Sequence, residues 1–146
     1  KKGYETMKNS RFLISVLSVS GIIAIGFGAA ILFAPEAFYA TYGIKLGNDA
    51  SQLNEIRASG GALLGIGLVI VSGAIFSKLT FASLIVSSAV YLSYGLSRLL
   101  SIGLDGSPDS GLVAAAALEL AIGAISLFAL FRSHKTATLA IAVSSL

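Results

Sequence analysis

Two long apolar stretches that follow each other almost directly decide the fold: NEIRASGGALLGIGLVIVSGAIF at residues 54–76 and LTFASLIVSSAVYLSYGLSRLL at residues 79–100. A helix needs about 20 mostly apolar residues to cross about 30 Å of hydrocarbon, and both stretches are long enough. They are joined by only Ser77 and Lys78. Because so short a connection forces two helices to be antiparallel neighbours, the sequence predicts a membrane-spanning helical hairpin here.

Two further stretches of the same kind flank this hairpin, at residues 12–34 and 111–131. In lipid an open sheet would leave backbone amides unpaired, so the spans are predicted to be helices. We therefore predict an all-α fold, an integral membrane four-helix bundle with antiparallel up-down-up-down topology. A short interfacial helix is expected between spans one and two, and residues 1–146 are expected to form a single transmembrane domain.

The composition supports a membrane protein and argues against catalysis. Hydrophobic residues make up 55% of the 146 residues, charged residues 12%, and the mean hydropathy is +0.89. Ordinary soluble domains carry about twice that charged fraction. With no cysteine and one histidine, thiol chemistry and multi-histidine metal sites are excluded. No serine has a basic partner in the predicted layout, so we expect no enzyme, no cofactor and no metal.

The basic residues predict the orientation of the chain. Seven of them fall on one side of the predicted bundle, whereas the opposite side carries mostly acidic residues. Since lysine and arginine in short flanks resist translocation, both termini are expected to be cytoplasmic, in a multi-pass protein of the bacterial cytoplasmic (inner) membrane. The net charge of +3 then reflects contact with membrane lipids, and no nucleic-acid partner is expected. The seven are Lys1, Lys2, Lys8, Arg11, Lys78, Arg132 and Lys135.

The connection between the first two spans contains PEAFYATYG, residues 35–43, which is typical of a short helix opened by proline and closed by glycine. Its aromatic residues Phe38, Tyr39 and Tyr42 suit the headgroup layer, where they are predicted to act as an interfacial anchor. The alternative is that this segment forms a lid over the outer mouth of the bundle.

Glycines are spaced for close helix contact. Gly61 and Gly65 form a GxxxG motif on the second span, flanked by Gly60 and Gly67, and the first span is lined by Gly21, Gly26 and Gly28. Small residues let helix backbones approach in lipid, so we predict that these glycines, above all Gly26, Gly61 and Gly65, pack against another helix. That helix belongs either to the same chain or to a partner, which is another membrane protein or a second copy.

Three charged residues lie inside the spans, where charge is costly and therefore informative. Arg57 and Arg98 are about equally far from the turn between spans two and three, and Glu119 lies in the outer part of span four. All three are therefore predicted at similar depth near the outer surface. Tyr91 and Tyr94 form a polar stripe with Arg98 on one helical face.

The cluster of Arg57, Arg98 and Glu119 contains two cations and one anion. Two further polar residues are predicted beside it. Asn54 shares a face with Arg57, and Asp105 lies at the outer rim. An anionic lipid or a small amphiphile would balance the excess, since arginine suits such groups. The alternatives are that Glu119 bridges Arg98 while Arg57 reaches the headgroups, or that Glu119 carries protons.

Three short motifs resemble a known family. NEIRASGG at residues 54–61, GLSRLLS leading into LDGSP between residues 95 and 108, and LEL at residues 118–120 are similar to the small bacterial four-span proteins grouped as domain of unknown function 4345. Ser59 stands where that family often has an aromatic residue before the paired glycines. The resemblance implies that Arg57, Arg98, Asp105 and Glu119 belong to one site, and it implies no reaction or ligand.

Three functions are compatible with these observations. The first is a non-catalytic accessory or structural subunit of a larger membrane complex, suggested by the glycine-rich faces. The second is a binding protein for an anionic lipid or small amphiphile in an outer-leaflet pocket formed by Arg57, Arg98 and Glu119. The third is a component of a proton-coupled transporter or channel.

Overall fold

The protein is a bundle of four long helices with one short helix after the first. The computed structural model describes the backbone of residues 11–144 and the side chains of residues 11–133, so the predictions on Lys1, Lys2, Lys8 and Lys135 concern side chains outside the described ones. The long helices pack antiparallel and each is apolar enough to cross a membrane, which confirms the predicted fold class. The helices are α1 (Arg11–Phe33), α2 (Pro35–Ala40), α3 (Ala50–Ile75), α4 (Thr80–Asp105) and α5 (Ser110–Ser144).

The helix ends are set by local capping rather than by the limits of the apolar stretches. Helix α3 begins at Ala50 because the side chain of Asp49 accepts a hydrogen bond from the backbone N–H of Gln52 at 2.8 Å. Helix α4 continues beyond its predicted end to Asp105, where Gly106 adopts a positive φ of 95°. Helices α3 and α4 therefore extend by several residues past the predicted spans at the end of the bundle that holds α2.

Close backbone contact joins the long helices into two pairs. A Cβ atom added to Gly28 of α1 would lie 2.8 Å from Cα of Leu64 in α3. In α5, a Cβ atom added to Gly123 would lie 2.9 Å from the backbone nitrogen of Leu92 in α4. Because ordinary carbon contacts are about 3.5–4.0 Å, glycine is needed at both positions. Helix α1 thus packs tightly on α3, and α4 packs tightly on α5.

Hydroxyl groups connect the α1–α3 pair to the α4–α5 pair. Thr80 donates to the carbonyl oxygen of Gly73 at 2.8 Å, and Ser83 donates to that of Val69 at 2.7 Å. Thr80 and Ser83 are both buried, so these bonds give their hydroxyl groups the hydrogen-bond partners that lipid could not provide. They lie next to the short turn between α3 and α4, around a core that includes the fully buried Leu84.

Four of the predicted glycines make the close contacts between α1 and α3, whereas Gly26, Gly61 and Gly65 do not. Gly26 and Gly65 have no atom within 4 Å of an added Cβ, and Gly61 meets only Cδ1 of Leu32 at 4.0 Å. Gly26 and Gly65 are exposed, and Gly61 is half-buried beside Leu32 of α1. Their packing against another helix stays a prediction, and within the described residues the α1–α3 contact is made by Gly21, Gly28, Gly60 and Gly67.

A candidate ligand-binding cavity

A cavity of about 290 Å³ lies between the four long helices at the end of the bundle that holds α2. All five helices contribute to its wall, and most of the lining is aliphatic or aromatic. The lining side chains include Phe27, Phe38, Leu63, Tyr91, Tyr94, Arg98, Ala115 and Glu119.

The polar part of the wall is an ion pair between α4 and α5. Nε of Arg98 donates to Oε2 of Glu119 at 2.8 Å. The two residues meet because Gly95, three positions before Arg98, lets α4 approach Leu120, the neighbour of Glu119. The arginine side chain is 33% exposed and the glutamate side chain 16% exposed. Within the described part of the chain, the terminal amino groups of Arg98 and Oε1 of Glu119 form no hydrogen bond.

Two tyrosines continue this polar face along α4. Tyr91 is buried, and its hydroxyl donates to the backbone carbonyl of Ser20 in α1. This bond ties α4 to α1 at the inner end of the cavity. Tyr94 is 41% exposed and also lines the cavity. Tyr91, Tyr94 and Arg98 therefore share one face, because residues three, four and seven positions apart lie together on a helix.

The short helix α2 closes the cavity from its outer end. The ring of Phe38 makes edge-to-face contacts with Phe27 of α1 at 5.7 Å and with Tyr39 and Tyr42 at 5.5 Å each, measured between ring centroids. All four aromatic residues line the cavity. The segment predicted as an interfacial anchor or a lid thus lies over the cavity, with Gly43 at a φ of 72° just behind it.

Three of the predicted site residues lie elsewhere. Arg57 is exposed and its Nη1 donates to the carbonyl oxygen of Leu32 near the end of α1. Asn54 is exposed on α3, and Asp105 is exposed at the end of α4, where it accepts a hydrogen bond from Ser101 at 2.9 Å. None of the three lines the cavity. Of the seven predicted site residues, the structure brings together Arg98, Glu119, Tyr91 and Tyr94.

The contribution of α1 to the wall was not predicted from the sequence, and α3 was predicted to contribute through a different face, that of Asn54 and Arg57. Helix α3 contributes Ser59 and Leu63, and α1 contributes Phe27 and Ile31. Each pair is spaced by four residues, which places its two members on one helical face. Ser59 is two residues from Arg57, so the two side chains point to nearly opposite sides of α3. The sequence feature that could have identified this part of the wall is the face of α3 that lies opposite Arg57.

The charges of the cavity wall balance. Arg98 and Glu119 are the charged residues among those that line it. Within residues 11–133, no three histidine, cysteine, aspartate or glutamate side chains are grouped so that they could hold a metal ion. The arrangement suits a ligand with an apolar body and one polar group, because pockets of this kind fix a ligand's orientation through a few polar contacts.

Four apolar helices long enough to span a bilayer, with an ion pair and a cavity at one end, define a multi-span membrane protein. The chain belongs to the family described as Domain of unknown function (DUF4345), whose profile matches residues 13–130. The match runs from α1 into α5 and confirms the resemblance seen in the sequence. No curated protein and no solved structure matches the chain.

Proposed function

We propose that this protein is a non-catalytic membrane protein that binds a small amphiphile in the cavity between its helices. The observation that carries the proposal is an apolar cavity of about 290 Å³ with the Arg98–Glu119 pair in its wall. Small-molecule sites typically enclose about 300–1,000 Å³, so the cavity suits a compact ligand rather than a whole phospholipid. Arg57 is not part of this site, since it lies outside the cavity.

The wall divides into an apolar part and a polar part, as an amphiphile requires. Ile23, Leu63 and Val90 offer aliphatic surface to the body of a ligand. Arg98 and Glu119 offer hydrogen-bonding groups to its polar end. Burial of an apolar ligand surface gains roughly 25 cal/mol per Å², and the polar contacts set which ligand fits.

The test uses two matched substitutions on α5. Ala115 lines the cavity, whereas Ala117 is exposed two residues further along the same helix. Ala115→Phe fills the cavity, and Ala117→Phe adds the same side chain outside it. Each variant and the parent are purified in mild detergent, and the small molecules that remain bound are extracted and compared by mass spectrometry.

We expect one amphiphile to accompany the parent and Ala117→Phe and to be absent from Ala115→Phe. The control matters because any membrane protein retains some annular lipid, which both substitutions leave in place. Identical sets of retained molecules in all three samples would overturn the proposal.

A second candidate function is that of an accessory or structural subunit of a larger membrane complex. The observation in its favour is the exposure of Gly26 and Gly65, where an apolar helix of another membrane protein or a second copy would approach closely. Gly65→Leu should then reduce the size of the particle extracted in native lipid. Gly103→Leu is the control, because that exposed glycine on α4 also has no atom within 4 Å of an added Cβ. Equal particle sizes for both variants would count against this function.

We further propose that the protein lies in a bacterial cytoplasmic membrane with both termini in the cytoplasm. Arg11 and Lys78 lie at one end of the bundle, whereas Asp105 lies at the end that holds the cavity. The chain has no cysteine, so Lys78→Cys and Asp105→Cys each provide one labelling site. A membrane-impermeant maleimide should label the cysteine at position 105 on spheroplasts and that at position 78 only after lysis. The opposite result would invert the orientation.

A further inference from the structure

We propose that the cavity selects an uncharged amphiphile whose polar group both accepts and donates a hydrogen bond, for which a carboxamide on a single ring is the simplest chemistry. This inference rests on the proposed function, because it names the ligand class of the same site. It follows from the charge of the wall, from its unused hydrogen-bonding groups and from its shape.

The charge of the wall argues for a neutral ligand. Arg98 and Glu119 are the charged residues among those lining the cavity, and they are paired with each other. Arg57, which would have given the site an excess positive charge, is bonded instead to the carbonyl oxygen of Leu32. A ligand with a net charge would therefore lose its hydration without meeting a net opposite charge, which is unfavourable.

The unused hydrogen-bonding groups argue for a ligand that both donates and accepts. Arg98 bonds to Glu119 through Nε alone, which leaves its terminal N–H groups as donors. Glu119 uses Oε2 alone, which leaves Oε1 as an acceptor. A carboxamide oxygen can accept from Arg98 while the carboxamide N–H donates to Glu119. A carboxylate has only acceptors, and it would be repelled by the carboxylate of Glu119.

The shape and the aromatic content argue for one ring with a short tail. A volume of about 290 Å³ corresponds to about ten water molecules at roughly 30 Å³ each. Six aromatic side chains line the wall, and a flat ring can stack on them or meet their edges. They are Phe27, Phe38, Tyr39, Tyr42, Tyr91 and Tyr94.

The test uses four probes of nearly equal size that differ at one polar group. They are 4-butylbenzamide, 4-butylbenzoate, 4-butylbenzylammonium and butylbenzene. Binding to the full chain in lipid nanodiscs is measured by calorimetry, and the signal from nanodiscs that carry Ala115→Phe is subtracted to remove partition into the bilayer. We expect the benzamide to bind about tenfold or more tightly than each of the other three probes.

A substitution in the ion pair should change this order. Glu119→Gln leaves the positive charge of Arg98 without its partner, so the benzoate should bind more tightly than the benzamide. Ala117→Phe is the control, because it lies outside the cavity and leaves the charge of the wall unchanged. It should preserve the order found for the parent.

The outcomes separate the two proposals. If no probe binds the parent more than the Ala115→Phe nanodiscs, amphiphile binding itself fails, and this inference fails with it. If the benzoate, the benzylammonium or butylbenzene binds the parent as tightly as the benzamide does, this inference is overturned while amphiphile binding stands. The relative affinities of the four probes for the parent test this inference even if Glu119→Gln does not fold.

Discussion

Two alanine substitutions in α1, only two residues apart, should differ in their effect on stability. At Gly28 an added Cβ atom would lie 2.8 Å from Cα of Leu64 and 2.9 Å from the carbonyl oxygen of Gly60. At Gly26 it would meet no atom within 4 Å. Gly28→Ala therefore forces α1 and α3 apart, whereas Gly26→Ala adds a methyl group to an open surface.

The magnitude follows from comparing the two variants. Both replace glycine by alanine in the same helix, so the gain in helix propensity, about 1 kcal/mol, cancels between them. What remains is the cost of moving packed backbones from 2.8 Å to about 3.5 Å. Overpacking of this kind costs about 1–3 kcal/mol. For a chain of this size the difference corresponds to about 2–12 °C in the midpoint of thermal unfolding.

Thermal unfolding of both variants in the same mild detergent, followed by circular dichroism, measures this difference. We expect Gly26→Ala to unfold at or above the parent's midpoint and Gly28→Ala to unfold below that of Gly26→Ala. Equal midpoints would refute the packing of α1 on α3 described above. A midpoint for Gly26→Ala below that of the parent would indicate that the face of α1 carrying Gly26 packs against another group.

Two further substitution sets test the polar contacts. Arg98→Met and Glu119→Met should each lower the free energy of unfolding by about 1–3 kcal/mol, because each leaves a partly buried charge without its partner. The double variant should lose less than the sum of the two, as a double-mutant cycle by chemical denaturation would measure; additive losses would contradict the ion pair. Tyr91→Phe should cost about 1 kcal/mol by removing the bond to the carbonyl of Ser20. Tyr94→Phe, measured alongside it, should cost less, and equal losses would contradict that bond.

The sequence predicted the spans well because hydropathy and length determine them. It also predicted that Arg98 and Glu119 lie at similar depth, since depth follows from the rise per residue counted from a short turn. It left open whether Arg57 points toward Arg98 and Glu119 or away from them toward the headgroups. That direction depends on which face of α3 meets α1, and glycine-rich helices offer more than one face for close contact. Arg57, Gly61 and Gly65 share a face that does not line the cavity, because Arg57 and Gly61 lie beside Leu32 of α1 and Gly65 is exposed.

The contacts between helices depended on a spacing that the GxxxG motif does not describe. Gly21 and Gly28 in α1, like Gly60 and Gly67 in α3, are seven residues apart and therefore lie on one face two turns apart. The position of α2 over the cavity could also not be predicted from the sequence. Aromatic residues suit both a headgroup layer and a cavity wall, so only the tertiary fold shows that Phe38 packs on Phe27.

The hydrogen bonds that connect the two helix pairs are concentrated toward one end of the bundle. The bonds of Thr80, Ser83 and Tyr91 clamp the pairs together from the α3–α4 turn up to the inner end of the cavity. Beyond Tyr91, among the side chains of residues 11–133, the polar contacts of Arg57 and Arg98 stay within one pair. Among these side chains, hydrogen bonds therefore join the two helix pairs near the α3–α4 turn, whereas at the cavity end the pairs meet through apolar surfaces.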